Sequence, residues 1–522
     1  MTTPNDTPMN GAESLVKTLL DSGLDTCFTN PGTSEMHFVA ALDHVPGMRS
    51  ILVLQEGVAT GAADGYFRLA GKPACTLLHL GPGLANGLSN LHNAKKAGSG
   101  VVNIVGEHAV SHIELDAPLT SDIEGIAAPV SHWVHTSLSS TDVGADAAKA
   151  VHAANVAPGQ VATLMLPSDT AWNEGGKVAQ PIPAAPRPAY DQTALENAIA
   201  ALSGPDSLLL LGGAALDEHT LETAGRIAAK TGCSLLCEWA NSKLERGAGR
   251  VVINRVPYPI DQALKALAPY KRIVLVGARA PIGFFAYPEK PAILTAAGTE
   301  IIDLCKTSQD ITAALAALCD GAGAQDAAPA NVADAVVPDK PTGPLDPDGI
   351  AKVLGRMIPE NAIVVDEAIT TGRAFFPVTA GAAKHTWLNN CGGSIGYGLP
   401  VSIGAAVACP DRKVLALVGD GSAMYTIQAL WTMAREQLDV TIVIFANRVY
   451  KILRGELTNV GVSNAGPKAM DMLSLDRPTL KFVEMAQSMG VEATQVTDCE
   501  ALELAIETGL ATKGPYLIEA VL

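Results

Sequence analysis

The stretch KVLALVGDGSAMYTIQALWTMAREQLDVTIVIFANRVY, residues 413–450, decides how this chain folds. It holds two nearly continuous apolar runs, KVLALVG and VTIVIFA, on either side of a helix-like segment. Apolar runs that alternate with helices are typical of parallel strands that helices cover on both faces. The same alternation recurs along the rest of the chain. We therefore expect an α/β protein built on doubly wound parallel sheets.

Two stretches without periodicity interrupt this alternation, and we interpret both as linkers. They are the Pro-rich AQPIPAAPRPAY at 179–190 and an Ala/Pro/Asp/Gly-rich segment at about 321–348. At roughly 100–200 residues per domain, a chain of 522 residues indicates about three domains. We expect a doubly wound parallel-sheet domain in each of 1–178, 190–322 and 346–522.

The composition excludes several classes of protein. Hydrophobic residues make up 48% and charged residues 17%, which is too apolar for a disordered chain. The net charge of −17 argues against binding to the phosphate backbone of nucleic acid. The first ten residues, MTTPNDTPMN, lack the features of a signal peptide, and no apolar run approaches the roughly 18 residues of a membrane span. The nine cysteines are scattered, as in reduced thiols. We expect a cytoplasmic enzyme.

The Gly-Asp-Gly turn at 419–421 is the first candidate site. Asp420 stands at a predicted strand end, and the amides of Gly421 and Ser422 can face an anion. Asn447 stands at the end of the next strand, so its side chain and that of Asp420 can converge. Two such oxygens, together with a backbone carbonyl and diphosphate oxygens, suit octahedral Mg²⁺. The alternative is a turn aspartate that caps the following helix.

Asn447 follows Asp420 by 27 positions, and this pattern resembles the cofactor motif of the thiamine-diphosphate-dependent decarboxylase and acetolactate synthase superfamily. The resemblance implies thiamine diphosphate and Mg²⁺ as cofactors. By the same resemblance, Asp420, Asn447 and the backbone oxygen of Val449 bind the metal. The neighbouring candidates for cofactor binding are Gly421, Ser422 and Tyr450.

The segment GGSIGYGLP, at 392–400, stands where this family grips the aminopyrimidine ring of the cofactor. The resemblance implies that Gly393 offers its carbonyl to the 4′-amino group. It also implies that Ile395 is the wedge that bends the cofactor into a V. Thr370, with Thr371, is a candidate diphosphate contact or the ordinary start of a helix.

Glu56 is the candidate catalytic carboxylate of the N-terminal region. In ILVLQEGVATGAADGY it follows four apolar residues and precedes a small-residue helix that permits close packing. The resemblance implies that Glu56 hydrogen-bonds the pyrimidine N1′ and thereby activates the cofactor. This role requires a dry setting that faces a cofactor anchored elsewhere. The alternative is a carboxylate favourably placed near a helix N-terminus.

Three further residues are candidates for contact with substrate or for proton transfer. Thr33, in TNPGTSE at 29–35, matches the position of an active-site serine in benzoylformate decarboxylase-like enzymes. His79 occupies the position of their catalytic histidine, as a proton shuttle or substrate contact, or is an ordinary structural histidine. His108 follows Gly106-Glu107, where relatives show Gly-Gln, so the substrate preference stays open.

The middle block resembles the Rossmann-like central domain of this superfamily, which binds FAD or a nucleotide in some members. No complete G-x-G-x-x-G follows its strands, so we expect no dinucleotide there, with FAD as an open alternative. Phe285 stands where benzoylformate decarboxylases carry a second active-site histidine, which argues against a straightforward arylglyoxylate decarboxylase. Arg279 could clamp a substrate carboxylate or pair with an acidic neighbour.

The chain is therefore most similar to acetolactate synthase large-subunit-like enzymes, with strong likeness to benzoylformate decarboxylase in its last block. The resemblance implies decarboxylation or carboligation of 2-oxo acids, with aldehydes as further substrates, through an enamine intermediate. We expect Glu56 and the metal site to lie on domains that do not meet within one chain. We therefore expect a homodimer or homotetramer with active sites at the subunit interface. A 2-hydroxyacyl thioester lyase and a non-catalytic cofactor-binding homologue stay open as alternatives.

Overall fold

The computed structural model describes residues 9–522 of the chain. Most of the N-terminal segment from which we excluded a signal peptide, residues 1–8, lies outside the described residues. Within 9–522, none of the helices has both the length and the apolar character that a membrane crossing requires. Three largely parallel sheets with helical layers organise the described residues and confirm the predicted fold class.

The first sheet has six parallel strands in the order β2-β1-β3-β4-β6-β5. Its central strands β3, β4 and β6 are buried along their whole length, and helices cover both faces of the sheet. The elements of this region are α1 Gly11–Asp21, β1 Thr26–Asn30, α2 Met36–His44, β2 Arg49–Leu52, α3 Glu56–Ala70, β3 Ala74–Leu78, α4 Leu80–Ala97, β4 Val101–Glu107, α5 Val110–Ile113, α6 Ile123–Ala127, β5 Trp133–Thr136, α7 Val143–Ala154, β6 Val161–Pro167 and α8 Ser168–Trp172.

The second sheet has five parallel strands in the order β10-β8-β7-β11-β12. A strand from the same stretch of chain, β9, belongs to a different sheet. The elements of this region are α9 Gln192–Ala201, β7 Ser207–Leu211, α10 Glu218–Thr231, β8 Ser234–Cys237, β9 Lys243–Arg246, β10 Asn254–Arg255, α11 Ile260–Leu267, β11 Arg272–Val276, β12 Glu300–Cys305 and α12 Ile311–Gly321.

The third sheet has seven strands in the order β17-β18-β16-β15-β13-β14-β9. Six of them are parallel, and β9 pairs antiparallel with β14 at the edge, which the sequence pattern did not predict. The elements are α13 Pro347–Met357, β13 Ala362–Glu367, α14 Phe375–Val378, β14 His385–Asn389, α15 Gly398–Ala408, β15 Val414–Gly419, α16 Asp420–Ala423, α17 Ala429–Arg435, β16 Val440–Ala446, α18 Lys451–Asn459, α19 Pro467–Asp471, α20 Phe482–Ser488, β17 Glu492–Val496, α21 Cys499–Ala511 and β18 Tyr516–Val521.

Helices α3 and α15 pack backbone against backbone and join the first region to the third within one chain. A Cβ at Gly65 would overlap the carbonyl of Val401, and one at Gly404 would overlap the carbonyl of Ala62. Only glycine permits an approach this close. The expectation that these two regions meet only across a subunit boundary is therefore wrong, because the small residues of α3 dock on α15 of the same chain.

A buried ion pair ties all three regions together. Arg68 binds Asp64 through two hydrogen bonds of 2.8 and 2.6 Å, and Ser99 donates to the same carboxylate at 2.5 Å. The remaining donors of Arg68 reach the carbonyls of Ser242 at 3.3 Å and Asn389 at 2.7 Å. The contacts with Ser242 and Asn389 anchor the first region to the residue before β9 and to the last residue of β14.

Candidate functional site

Asp420 and Asn447 follow two neighbouring strands, as the sequence predicted. Strands β15 and β16 pair in parallel with Gly419 opposite Phe445, so both chains leave the sheet at the same edge. One carboxylate oxygen of Asp420 accepts from the amide of Gly421 at 2.8 Å, and the other accepts from the amide of Arg448 at 2.6 Å. The side-chain oxygen of Asn447 accepts from the amide of Val449 at 3.0 Å. The structure therefore brings the two loops together.

The oxygens of this loop pair are of the kind that hard cations prefer. Asp420 is buried, and burial raises the pKa of its carboxyl group, while the backbone amides of Arg448 and Gly421 oppose that shift. Residues 9–522 contain no cluster of three His, Cys, Asp or Glu side chains that could hold a metal ion. A cation bound by Asp420 and Asn447 would thus need further oxygens from the backbone or from a ligand.

Gly421 and Tyr450 lie in direct contact. A Cβ at Gly421 would overlap the ring of Tyr450, so the ring can cover this turn only when a glycine stands there. Ser422 is buried beside it. The structure thus gathers the predicted residues Gly421, Ser422 and Tyr450 around Asp420.

The loop at 392–396 depends on two residues with positive φ, Gly393 at +77° and Gly396 at +89°. The side chain of Asn390 accepts from the amide of Gly393 at 2.8 Å. Ile395 is half-buried within this loop. Glycine is favoured at both of these positions because other residues rarely adopt a positive φ.

Glu367 orders the end of this loop, and the sequence analysis did not identify it. Its two carboxylate oxygens accept from the amides of Gly396, Tyr397 and Gly398 at 2.8, 3.3 and 2.8 Å. Burial raises the pKa of Glu367 to about 7. The one signal in the sequence was a carboxylate that ends the apolar run AIVVDE.

Three polar side chains of α4 hold the same loop from the N-terminal region. Asn93 both donates to the carbonyl of Ser394 and accepts from its amide, at 2.8 and 3.2 Å. His92 lies 3.1 Å from the carbonyl oxygen of Gly392. Asn90 donates to the carbonyl of Gly57 at 2.8 Å and lies 3.4 Å from that of Gly396. The i, i+3 spacing of the two asparagines was the available signal in the sequence.

Glu56 is the first residue of α3, where the side chain of Gln55 caps the helix. Its carboxylate accepts from the side-chain amide of Asn86 at 3.0 Å. We expected Glu56 to lie in a dry setting, but in this chain the residue is only half-buried. Among the described residues, no hydrogen bond or ion pair joins its side chain to Gly393, Asp420 or Asn447.

His79 and the loop before α2 lie together at the ends of β1 and β3. The Nδ1 atom of His79 lies 2.8 Å from a carboxylate oxygen of Glu35, a residue to which the sequence analysis gave no role. A Cβ at Gly32 would overlap the His79 ring. Thr33 is exposed on the same loop.

His108 follows β4, and its ring centroid lies 5.3 Å from that of His112. The buried Nε2 atom of His108 has no hydrogen-bond partner among residues 9–522. The side chain of Glu107 accepts from the His108 amide at 2.7 Å. Burial raises the pKa of Glu107. No described hydrogen bond joins His108 to His79.

Thr370 is half-buried, directly before a 3₁₀ turn at Thr371–Ala374, and its side chain forms no capping bond there. Arg279 is exposed, and its backbone amide donates to Glu238 at 2.6 Å. Burial raises the pKa of Glu238 to about 7. Among the described residues, the Arg279 side chain forms no ion pair.

Phe285 belongs to a cluster of aromatic rings from the central region. Phe284, its neighbour in that cluster, lies against the 392–396 loop, since a Cβ at Gly393 would be 3.0 Å from its ring. Neighbouring ring centroids within the cluster are 5.1–6.4 Å apart. The members are Trp239, Tyr258, Phe284, Phe285 and Tyr287. The ring of Phe284 therefore brings this aromatic cluster to Gly393.

The chain matches known families at both ends. Residues 9–131 match the family described as thiamine pyrophosphate enzyme, N-terminal TPP binding domain. Residues 373–520 match the thiamine pyrophosphate enzyme, C-terminal TPP binding domain. Of the candidate positions named in the sequence analysis, only Thr370, Thr371, Arg279 and Phe285 lie outside these two matches.

Individual proteins are similar over almost the whole chain. "Putative acetolactate synthase large subunit IlvX" of Mycobacterium tuberculosis is 50% identical over 98% of this chain and 99% of its own length. Benzoylformate decarboxylase of Pseudomonas aeruginosa is 30% identical over 95% of this chain and 96% of its own length. The solved structure of a Rhodococcus jostii thiamine diphosphate-dependent 4-hydroxybenzoylformate decarboxylase superposes with a TM-score of 0.85 at 25% identity, covering 98% of this chain and 99% of that one.

Proposed function

Because the chain belongs to the thiamine-diphosphate enzyme family that the motifs predicted, we propose that it cleaves or forms C–C bonds at 2-oxo acids with this cofactor. The reaction is decarboxylation, carboligation or both. The observation that carries the proposal is the meeting of Asp420 and Asn447 at adjacent strand ends, beside the turn that Tyr450 covers. Thiamine diphosphate, when bound, would supply a deprotonated carbon that adds to the substrate carbonyl and a cationic ring that takes up the electrons of the broken bond.

The residues of the third region would hold the cofactor. Asp420, Asn447 and the carbonyl of Val449 provide oxygens for Mg²⁺, and the diphosphate would complete the oxygen set. The Gly393 carbonyl and the Ile395 side chain position the pyrimidine ring. Candidates for contact with the diphosphate or its surroundings are Gly421, Ser422, Thr370 and Tyr450.

The residues of the first region would handle protons and substrate. Glu56 holds or moves the proton at the pyrimidine N1′. His79 transfers protons at the reacting carbonyl, with His108 and Thr33 as further contacts with substrate or proton carriers. The aromatic cluster that Phe284 brings to Gly393 supports a substrate with an apolar side chain.

We infer a homodimer or homotetramer in which Glu56 acts on a cofactor held by another copy of the chain. Exposed apolar side chains adjoin the predicted site residues on both regions. Leu54 is 48% exposed near Glu56, Ile369 is 41% exposed beside Thr370, and Tyr425 is 55% exposed. A second copy of the chain would cover these side chains and give Glu56 the dry setting that its role requires.

Cofactor binding tests the proposal directly. Isothermal titration of thiamine diphosphate in the presence of Mg²⁺ should show binding to the wild-type chain, and Asp420→Ala should weaken it at least about tenfold because a metal ligand is lost. The control is Asp411→Asn, an exposed aspartate of the same region, which should bind like the wild type. A wild-type chain without affinity for the cofactor would overturn the proposal.

A substrate panel then identifies the reaction. The loaded enzyme is incubated with pyruvate, benzoylformate, glyoxylate and short aldehydes, and CO₂ release and products are measured by mass spectrometry. Release of CO₂ with an aldehyde or a ligated product is the expected result. Cleavage of a 2-hydroxyacyl thioester without CO₂ release would favour the lyase alternative, and no turnover with any compound would favour a non-catalytic homologue.

A further inference from the structure

Glu35 is a buried carboxylate in a segment of exposed and half-buried residues. It ends the short 3₁₀ turn Thr33–Glu35 after β1 and is 1% exposed. One of its oxygens, Oε2, accepts from the Gly32 amide at 2.6 Å and lies 2.8 Å from Nδ1 of His79. Its other oxygen, Oε1, has no hydrogen-bond partner among the described residues. A carboxylate is expensive to bury, so this placement calls for a reason.

Two glycines make room for the contact between Glu35 and His79. A Cβ at Gly32 would overlap the ring of His79, and a Cβ at Gly106 would overlap Oε1 of Glu35. Gly32 follows β1, His79 follows β3, and Gly106 is the next-to-last residue of β4. The ends of three adjacent strands are thus shaped to seat one carboxylate against one imidazole.

The contact with Glu35 bears on which nitrogen of His79 carries the proton. An ionised carboxylate only accepts hydrogen bonds, so with Glu35 ionised, Nδ1 of His79 donates to Oε2, which also accepts from the Gly32 amide. A neutral imidazole has one protonated nitrogen, and Nε2 is then left with a free lone pair. His79 keeps a quarter of its side chain exposed, so that nitrogen can be reached by a ligand.

We propose that Glu35 is a positioning residue that holds His79 in the Nδ1–H tautomer and directs Nε2 towards the substrate. The proposal rests on the role given to His79 in the proposed function. In that role, Nε2 accepts a proton from the reacting substrate, and Glu35 stabilises the imidazolium that forms. The proton returns from Nε2 to the substrate or product, so neither His79 nor Glu35 gains a proton over the whole cycle.

A double-mutant cycle tests this role. Glu35→Gln keeps the shape of the side chain and removes its charge. It should lower kcat about 10–100-fold with little change in KM, as is typical of residues that orient a catalytic group. His79→Ala should lower kcat at least as much. Because Glu35 acts through His79, the double variant should be no slower than His79→Ala alone.

A purely structural role gives a different result. If Glu35 only tightened the Gly32 turn, Glu35→Gln would remain as damaging in the His79→Ala background as in the wild type, and the proposal would fall. Thermal unfolding and titration with thiamine diphosphate separate a folding or cofactor defect from the positioning effect. The matched control is Glu13→Gln, which removes the charge of a surface pair with His44 at 3.0 Å and should leave kcat unchanged.

A spectroscopic readout tests the tautomer without turnover. In ¹⁵N-histidine NMR of the wild-type protein, the signals that disappear in His79→Gln should show a protonated Nδ1 and a free Nε2. In Glu35→Gln these signals should move towards the average of the two tautomers. A protonated Nε2 in the wild type would overturn the proposal, even if the enzyme proves to have another activity. Failure to bind thiamine diphosphate would instead refute the proposed function alone.

Discussion

At the carboxyl end of β13, the carboxylate of Glu367 is buried, and its oxygens accept hydrogen bonds from the amides of Gly396, Tyr397 and Gly398, which lead into α15. Desolvation outweighs these hydrogen bonds and raises the pKa of Glu367 from 4.5 to about 7. Since the folded state holds a proton that the unfolded state releases, this residue favours folding at acidic pH.

The stability contributed by Glu367 should therefore decrease as the pH rises from about 4.5 to about 7. The free energy of unfolding of the wild type minus that of Glu367→Gln should fall by about 3 kcal/mol at most between pH 4.5 and pH 8. Urea unfolding at several pH values measures this difference, and subtracting the variant removes the titration of other groups. A difference that stays constant or rises with pH would contradict the raised pKa.

At the scale of elements, the contact between α3 and α15 determines how the first and third regions meet. The glycines at Gly61, Gly65 and Gly404 let the two helix backbones touch. This contact also places α4 beside the 392–396 loop, where Asn90 and Asn93 bind it. The packing of two helices thus positions the residues that hold the predicted pyrimidine site.

A methyl group in this contact should destabilise the protein. Gly404→Ala should lower the free energy of unfolding by about 1–3 kcal/mol, because its Cβ would overlap the backbone of Ala62. The matched control is Gly455→Ala in α18, where nothing lies within 4 Å of the added Cβ. That variant should gain about 0.5–1 kcal/mol from helix propensity. Equal urea midpoints for the two variants would refute the importance of the contact.

At the scale of the whole molecule, the candidate residues form two groups in one chain. Glu56, Thr33 and His79 lie at strand ends of the first sheet, and Asp420 with Asn447 lies at strand ends of the third. The regions touch, yet no described side-chain bond joins Glu56 to the second group. In the homodimer or homotetramer that we infer, a second copy of the chain would complete each site.

Mixing two inactive variants tests this arrangement. Glu56→Gln and Asp420→Ala should each lose nearly all activity, and their co-expressed mixture should regain about a quarter of the wild-type rate, because half of the dimers are mixed and each has one intact site. If each site is built from one chain, the mixture stays inactive. Sedimentation of each variant checks that the oligomers form, and an active monomeric wild type would also contradict the shared site.

Local sequence pattern was sufficient to predict many of the strands and much of the candidate site of this protein. The apolar runs KVLALVG and VTIVIFA became β15 and β16 because continuous hydrophobic strands are stable only inside a covered parallel sheet. Their register then placed Asp420 beside Asn447, since parallel neighbours end at the same edge. The family also followed from short motifs, because close approach to a ligand restricts residue types at fixed spacings.

Which distant segments meet became visible only in the folded chain. The docking of α3 on α15, the antiparallel edge strand β9, the carboxylates of Glu35 and Glu367 and the asparagines of α4 left weak signals in the sequence. Each acts through a partner far along the chain, and such pairings depend on packing geometry rather than on local periodicity. Short-range sequence patterns therefore specify the strands and the chemistry at their ends, while three-dimensional packing sets how those ends are oriented and supported.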